Sequence, residues 1–255
     1  GDPDERVAER LALADAELDF LHSSKSIATM RARELHPWDL DPDQAAELQR
    51  QLAGQVRTTG RPESVRLVAG VDVSYSKDSP RGYGVVAVLS YPALEVVATA
   101  TATVDTTFPY VPGLFSFREI PAVLAALEKI RSRPDLVLVD GQGRAHPRRM
   151  GLASHLGLLL EIPTIGCAKT RLCGDHDEPA HARGSRSPLT EDGETIGLVV
   201  RTQDGVNPLF VSVGDGVDLD TCADWVVACA RDYRIPEPLR SADHLTKELR
   251  RSAES

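Results

Sequence analysis

Three strand-like segments in a row, joined by short turns, constrain the fold of this chain more than any other feature. These Val- and Thr-rich stretches are separated by the turn sequences KDSPRG and PAL, and they lie at 65–76, 82–91 and 95–105. Short links between such stretches predict an antiparallel meander. The amphipathic stretch at 116–133 then predicts a helix, with Ser116 as its candidate cap and Pro121 in an early turn.

The segments that follow predict parallel strands. A near-continuous apolar run at 135–141 is typical of a strand that is covered on both faces. A helix is predicted at about 149–161 and a short strand at 164–169. The resulting β-β-β-α-β-α-β order predicts an α/β fold, in which a mixed central sheet has an antiparallel edge, parallel crossovers and flanking helices.

The rest of the chain adds elements to both sides of this core. We predict a helix at 39–56 behind an Asp cap, a polar loop at 173–194, strands at 195–202 and 208–214, and helices near 218–232 and 240–251. Residues 1–37 are predicted to be an N-terminal extension that is partly helical, and residues 38–255 to be a single domain.

Charge and cysteine content limit the class of protein. The formal net charge of −9 argues against binding nucleic acid by bulk positive charge, although a local basic groove stays open. The four cysteines form no C-x-x-C pair, so we expect reduced thiols and no zinc site. The N-terminus lacks a signal-peptide pattern and no apolar run is long enough to span a membrane, which predicts a cytoplasmic protein. The length and the absence of a coiled-coil pattern predict a monomer.

Two aspartates mark a candidate site at one edge of the sheet. Asp72 lies inside the first strand and Asp140 ends the fourth. If these strands are parallel neighbours, the two carboxylates face each other and repel unless a proton or cation lies between them. Mg²⁺ or Mn²⁺, which prefer oxygen ligands, would suit such a pair. The alternative is that Asp72 makes a local cap or salt bridge and Asp140 merely starts a turn.

Six sequence pieces, in this order, resemble the endonuclease V family. They are GVDVSY, FPYVPGLFSFREIP, LVDGQGRAHPRRMGLASHLG, IPTIGCAKTRL, RGSRSPL and YRIPEPLRSAD, and the resemblance runs from about residue 39 to about residue 250. The resemblance implies a ribonuclease H-like fold and a phosphodiester hydrolase that acts in DNA repair. Such an enzyme needs Mg²⁺ or Mn²⁺ and recognises inosine or deoxyinosine, the product of adenine deamination. It cleaves the second phosphodiester bond on the 3′ side, leaving 3′-hydroxyl and 5′-phosphate ends.

The resemblance also assigns catalytic positions. The metal-site positions are Asp72, Glu119, Asp140 and Asp243, and Lys169 matches the active-site lysine. His244 stays open as the alternative to Asp243. Without the resemblance, Glu119 would be a solvated helix acid, Asp243 an acid at a helix N-terminus, and Lys169 a surface lysine. Carboxylates of this kind can hold one or two cations that activate water and stabilise charge on the reacting oxygens, and Lys169 could contact a phosphate oxygen.

A stiff loop and several glycines are assigned to nucleic-acid recognition. The loop is Pro109, Tyr110, Val111 and Pro112, which the resemblance makes a wedge at the step left by the target base. Buried packing is the alternative. The base pocket would be bordered by Gly113, Gly141, Gly143, His146, Gly151 and Gly166. Turn and packing roles are the alternative for these glycines, and a larger residue at Gly113 or Gly151 is expected to abolish preference for inosine.

A basic cluster follows Asp140 and predicts a local positive strip for the phosphate backbone. Its members are Arg144, His146, Arg148 and Arg149. Two weaker signals are left outside the site: Asp215, and a group at 176–181 that we expect to be a solvated loop.

Two rival classes of function stay open at this point. One is a non-catalytic nucleic-acid binder, against which the intact carboxylates argue. The other is a general nuclease or resolvase without base preference, against which the wedge and the glycines argue. DNA is the default substrate and inosine-containing RNA stays open, because no readable motif decides between them.

Overall fold

The computed structural model describes residues 30–76 and 80–254, and this part of the chain forms five helices around one eight-stranded sheet. The helices are α1 (Pro42–Ala53), α2 (Phe115–Leu127), α3 (Leu152–Leu160), α4 (Leu219–Cys229) and α5 (Glu237–Glu254). The strands are β1 (Leu67–Tyr75), β2 (Arg81–Ser90), β3 (Val96–Asp105), β4 (Leu136–Val139), β5 (Thr164–Ala168), β6 (Arg186–Glu191), β7 (Glu194–Val200) and β8 (Leu209–Asp215).

The sheet order is β3-β2-β1-β4-β5-β8-β7-β6. The pairs β1–β4 and β4–β5 are parallel, and the other neighbouring pairs are antiparallel. The predicted meander, the parallel crossovers and the mixed sheet are therefore confirmed. Val71 pairs with Val139, so Asp72 and Asp140 each lie one residue beyond that pair, at the same edge of the sheet.

Helices cover both faces of the central strands. α2 and α3 pack on the face that carries Ala69, Val71, Val137 and Val139. On the other side, Val68, Leu136 and Leu138 pack against α4 and the start of α5. Because β4 is buried on both faces, its sequence is apolar without alternation. Among the residues described, no helix has the length and apolarity required to cross a bilayer.

Several predicted boundaries need correction. Ser116 is not a cap, since it lies within α2, and the N-cap residue Leu114 makes no side-chain hydrogen bond to the helix. Pro121 lies inside α2 and not in an early turn, and the helix ends at Leu127 and not near residue 133. The predicted polar loop also contains a strand, β6, which pairs with β7 at the edge of the sheet.

Residues 30–41 form a strap that packs on the domain. The strap itself has no helical structure. The Arg33 N–H donates to the Leu159 carbonyl at 2.8 Å. His36 and His155 share a hydrogen bond between their Nε2 atoms at 2.7 Å, and the ring of Trp38 stacks on that of His155. The described part of the predicted extension is thus bound to the domain, while residues 1–29, where a partly helical extension is predicted, lie outside the described residues.

Candidate active site

The carboxylates of β1 and β4 lie close enough at the sheet edge to affect each other. Asp72 is partly buried in β1, and Asp140 directly follows β4. Burial raises the pKa of Asp72 to about 6, and the Asp140 and Asp243 carboxylates act in the same direction. A hydrogen bond with Thr246 on α5 opposes this rise in the Asp72 pKa. The predicted meeting of Asp72 and Asp140 at one edge is therefore present in the structure.

Glu119 reaches the same place from α2. Burial, together with the nearby charges of Asp72 and Asp140, raises the pKa of Glu119 to about 8. Arg118 opposes this only in part, because its guanidinium donates to the Phe108 carbonyl at 2.6 Å and lies over the Tyr75 ring at 4.3 Å. Three carboxylates from three separate elements thus concentrate negative charge in one partly desolvated place.

The structure favours Asp243 over His244 at the fourth position. Asp243 lies inside α5 and contributes to the electrostatic field at both Asp72 and Lys169. It also forms an ion pair with Lys247 at 2.6 Å. The His244 side chain is 74% exposed and pairs with Glu248 at 3.1 Å, on the solvent side of the helix.

Lys169 directly follows β5, and its ammonium forms an ion pair with Asp140. The backbone around it is held by two buried or partly buried donors. The Arg234 guanidinium donates to the Lys169 carbonyl at 3.0 Å, and the Gln142 amide donates to the Thr170 carbonyl at 3.0 Å. Sequence reasoning missed both donors. The position of Gln142, two residues after Asp140, was the signal available for one of them.

These residues fit a hard divalent cation by their chemistry, although they are not arranged as a ready-made binding cluster. In residues 30–76 and 80–254, no group of three His, Cys, Asp or Glu side chains has metal-binding geometry. Asp140 and Asp243 instead pair with Lys169 and Lys247. The donors are all carboxylate oxygens, which Mg²⁺ and Mn²⁺ prefer. The raised pKa of Glu119 shows that its burial lacks sufficient compensating positive charge, which a cation would provide.

The proline-flanked loop at 109–112 has one projecting residue. Tyr110 is 72% exposed, with its ring 4.9 Å from that of Phe115. Val111 instead packs against the buried cluster of Phe108, Leu114 and Phe117. Of the two residues predicted at the tip of a wedge, Tyr110 is the one that projects into solvent. Val111 anchors the loop to the domain. Pro109 and Pro112, on either side of them, are exposed.

Three of the predicted pocket glycines allow close approach of backbone to backbone. A Cβ at Gly143 would overlap the Val213 carbonyl, one at Gly151 the Gln142 carbonyl, and one at Gly166 the Gly143 amide. They pack the segment after β4 against β5 and β8. Gly141 faces the Leu152 side chain, and Gly113 faces the side chains of Arg148 and His146. A larger residue at Gly151 would therefore disturb the backbone, so it cannot serve as a specific test of a base pocket.

The predicted positive strip is wrong for two of its arginines. Arg144 pairs with Glu194 at 2.7 Å, and Arg149 pairs with Glu191 at 2.5 Å and Glu194 at 2.8 Å. These carboxylates, more than 40 residues further along the chain, neutralise these two arginines. Arg148 donates to the Gly113 carbonyl at 2.8 Å, and His146 is buried, with its Nε2 atom 2.9 Å from the same carbonyl.

The signals left outside the site have structural roles. Asp215 is buried at the end of β8 and binds the guanidinium of Arg57 at 2.5 Å and the Arg57 backbone N–H at 2.7 Å. Glu178 pairs with the buried Arg201 at 2.7 Å, and the ring of His176 lies against Phe210.

This sheet order, with one carboxylate inside β1, one directly after β4 and one from the helix between β3 and β4, defines a nuclease of the ribonuclease H-like class. Comparison with known proteins gives the particular family. The model of the Endonuclease V family matches residues 50–244, and the chain belongs to that family of endonucleases. Endonuclease V of Gloeobacter violaceus is 50% identical over 221 residues, which cover 86% of this chain and 90% of the relative.

Solved structures agree with this assignment. Endonuclease V from Streptomyces avermitilis superposes with a TM-score of 0.82 at 43% identity, covering 89% of this chain and all of that one. Endonuclease V from Ciona intestinalis, in complex with a 24-mer DNA containing an inosine followed by a ribo-adenosine, gives a TM-score of 0.71 at 29% identity. That match covers 81% of this chain and 96% of the Ciona chain.

Proposed function

We propose that this chain is a metal-dependent endonuclease that recognises inosine or deoxyinosine in nucleic acid. It hydrolyses the second phosphodiester bond on the 3′ side of that nucleotide and leaves 3′-hydroxyl and 5′-phosphate ends, as a step in DNA repair. The observation that carries the proposal is the convergence of Asp72, Glu119 and Asp140 at one sheet edge beside Lys169. The Ciona relative, with inosine in its bound DNA, supports the choice of substrate.

The proposed chemistry assigns a role to each charged residue. Asp72, Glu119, Asp140 and Asp243 would hold Mg²⁺ or Mn²⁺. Bound there, the cation would activate water and stabilise charge on the reacting phosphate oxygens. Lys169, half exposed beside Asp140, can present its ammonium to a non-bridging phosphate oxygen, where it would stabilise the charge that develops during cleavage. Partial burial of Glu119 limits water around the carboxylates and strengthens their electrostatic interactions.

Recognition is assigned to the loop that ends at Gly113. The exposed ring of Tyr110 offers a flat apolar surface on which a neighbouring base can stack after the target nucleotide leaves the helix. Such stacking is worth ~1–3 kcal/mol per base and offsets part of the cost of unstacking. Backbone groups near Gly113 would then meet the edge of the extruded base, although the boundary of that pocket stays a prediction.

A nicking assay tests this proposal. Labelled single- and double-stranded DNA and single-stranded RNA, each with one inosine or none, are incubated with Mg²⁺, Mn²⁺ or chelator. We expect a metal-dependent nick one bond beyond the inosine's own 3′ phosphate, with DNA cut in preference to RNA. Asp140→Ala should lose activity by at least ~10³-fold, whereas Asp232→Ala, at an exposed surface aspartate, should not.

Two outcomes would reject parts of the proposal. Equal cutting with and without inosine would leave a general metal-dependent nuclease, and an absence of cutting with retained binding would favour a binding protein. Sedimentation of the protein with and without an inosine-containing strand checks the further expectation that it acts as a monomer.

A further inference from the structure

Three side-chain donors converge on one backbone oxygen, the carbonyl of Gly113. The Gln49 Nε2 atom lies 3.1 Å from it, the His146 Nε2 atom 2.9 Å and the Arg148 Nη2 atom 2.8 Å. A carbonyl oxygen has two lone pairs, so this one is more than fully used. Gly113 ends the loop that carries Tyr110, and its φ of +79° is one that residues other than glycine rarely adopt.

The hydrogen bonds around His146 define its tautomer. The Arg148 backbone N–H donates to His146 Nδ1 at 3.1 Å, which makes Nδ1 the acceptor. The proton of the neutral ring therefore lies on Nε2 and is donated to Gly113. Burial lowers the pKa of His146 to about 4, which keeps the ring neutral near pH 7.

Gln49 joins three separate parts of the chain. It lies in the middle of α1 and is 1% exposed. Its amide nitrogen also donates to the Met150 carbonyl at 2.9 Å, and its amide oxygen accepts from Arg148 Nε at 2.6 Å. A buried amide is tolerated when its donors and acceptor are satisfied, and this one is. α1, the loop at 109–113 and the segment after β4 are thereby tied at one point.

This tie bears directly on the projecting loop. Tyr110 stands three residues before Gly113, and α2, which carries Glu119, begins two residues after it. The N-terminus of α2 has no side-chain cap, so the helix itself provides little fixation at this end. The Leu114 N–H donates a hydrogen bond to the Val111 carbonyl at 3.0 Å and closes the turn between these two residues. The Gly113 carbonyl is thus the fixed point between the recognition loop and the catalytic helix.

We propose that Gln49 is a positioning residue for base recognition. Together with His146 and Arg148 it fixes the Gly113 carbonyl, and so holds Tyr110 at a set distance from the carboxylates. Gln49 acts through the loop and touches neither the substrate nor the carboxylates. The inference rests on the proposed function for its consequence in base choice, but its structural part, fixation of the loop, is testable without any substrate.

Hydrogen exchange tests the structural part. Gln49→Leu keeps most of the side-chain volume and removes the amide, while Gln51→Leu makes the same change at an exposed position of the same helix. We expect amides at 110–116 to exchange roughly tenfold faster in Gln49→Leu, with little change elsewhere and none in Gln51→Leu. Unchanged exchange at 110–116, or a uniform increase across the domain, would overturn the proposal.

Steady-state kinetics on inosine-containing DNA test the consequence. Gln49→Leu should raise KM roughly tenfold while kcat stays within about twofold, because the catalytic groups are untouched. Its preference for inosine over a matched strand should fall, and cuts should spread to neighbouring bonds. A loss confined to kcat, or wild-type values for both constants, would contradict a positioning role.

A second variant keeps the test decisive if Gln49→Leu folds poorly. Arg148→Lys retains the positive charge at a partly exposed position, but its donors all lie on one nitrogen and cannot reproduce the separate Nε and Nη2 hydrogen bonds to Gln49 and Gly113. It should reproduce the faster exchange at 110–116, and its failure to do so would overturn the proposal. If the wild-type enzyme itself shows no preference for inosine, the proposed function fails, while hydrogen exchange still decides whether Gln49 fixes the loop.

Discussion

At the Glu119 carboxyl, folding has placed an ionisable group where its charged form is disfavoured. Burial, followed by the charges of Asp72 and Asp140, raises its pKa to about 8 from the ordinary value of 4.5. Between these two pH values the folded protein binds a proton that the unfolded chain has released. The free energy of unfolding of the metal-free protein therefore falls as the pH rises through this range, by up to ~1.4 kcal/mol per pH unit.

The variant Glu119→Gln should consequently be more stable than the wild type at pH 8 in chelator and should lose catalytic activity. We expect a gain of at least ~1 kcal/mol, equivalent to roughly 2–4 °C in Tm. Addition of Mg²⁺ should stabilise the wild type more than the variant, because the variant lacks the charge that the cation compensates. Thermal unfolding at pH 5 and pH 8 measures this, and equal stability of the two proteins at pH 8 would contradict it.

Interactions between distant residues set the limit of what could be predicted at this scale. The metal-site residues could be named because short motifs carry the family resemblance and because Asp72 and Asp140 were expected on neighbouring parallel strands, where their carboxylates meet. The pairing of Arg144 and Arg149 with Glu194 and Glu191 could not, since nothing local links residues more than 40 positions apart. The same holds for Gln49 and Gly113, which are 64 positions apart.

Among the elements, the segment after β4 depends on glycine for its position. Gly166 of β5 meets the Gly143 amide, so the segment that begins with Asp140 can lie directly against β5. This contact brings Asp140 and Lys169, which follow two neighbouring strands, within reach of each other.

Replacement of Gly166 by alanine should therefore force the two strand ends apart. We expect Gly166→Ala to lose ~1–3 kcal/mol of stability and to lower activity on any nucleic-acid substrate, with or without inosine. Gly54→Ala is the matched control, because a Cβ there meets nothing within 4 Å. Urea unfolding and nicking rates check both variants, and a stable, active Gly166→Ala protein would show that the segment can shift without cost.

Elements with a strict period were predictable, and those with mixed signals were not. The meander and the apolar β4 follow the expected patterns. β6 was missed because Pro188 and its polar neighbours read as a loop, although an edge strand tolerates both. The end of α2 was placed too late because Ile130, which lies beyond the helix, is still buried in the core and so continues the apolar pattern.

Over the whole molecule, groups with opposite shifts define a pH optimum for stability. Burial lowers the pKa of His155 to about 3 and that of His146 to about 4, both from 6.5. Their neutral forms stabilise the fold above pH 6.5, and this contribution is lost as the pH falls towards 4. Glu119 and Asp72 have the opposite effect, since their raised pKa values reduce stability as the pH rises.

The metal-free protein should accordingly be most stable near pH 6.5. Stability falls above this pH through Glu119, whereas between about pH 4.5 and pH 6 the two histidines and the two carboxyls nearly offset each other. His155→Phe removes one of the two histidine contributions, so the free energy of unfolding of the variant should rise as the pH falls from 6 to 4.5, by up to ~1.4 kcal/mol per pH unit, while the alkaline side stays unchanged. Urea unfolding in chelator from pH 4.5 to pH 8.5 gives the profile. A continued rise in stability up to pH 8.5, or a steep slope between pH 4.5 and pH 6 in the wild type, would contradict the balance between histidines and carboxyls.

The convergence on the Gly113 carbonyl also decides what can be transplanted from this protein. A graft of residues 108–114 into another scaffold would carry the two prolines and Tyr110. It would leave behind the amide, the imidazole and the guanidinium that hold the graft in shape. Any attempt to engineer a new base preference in this chain must treat residues 49, 146 and 148 as part of the loop, and a library that varies the loop alone would sample conformations that the native enzyme does not use.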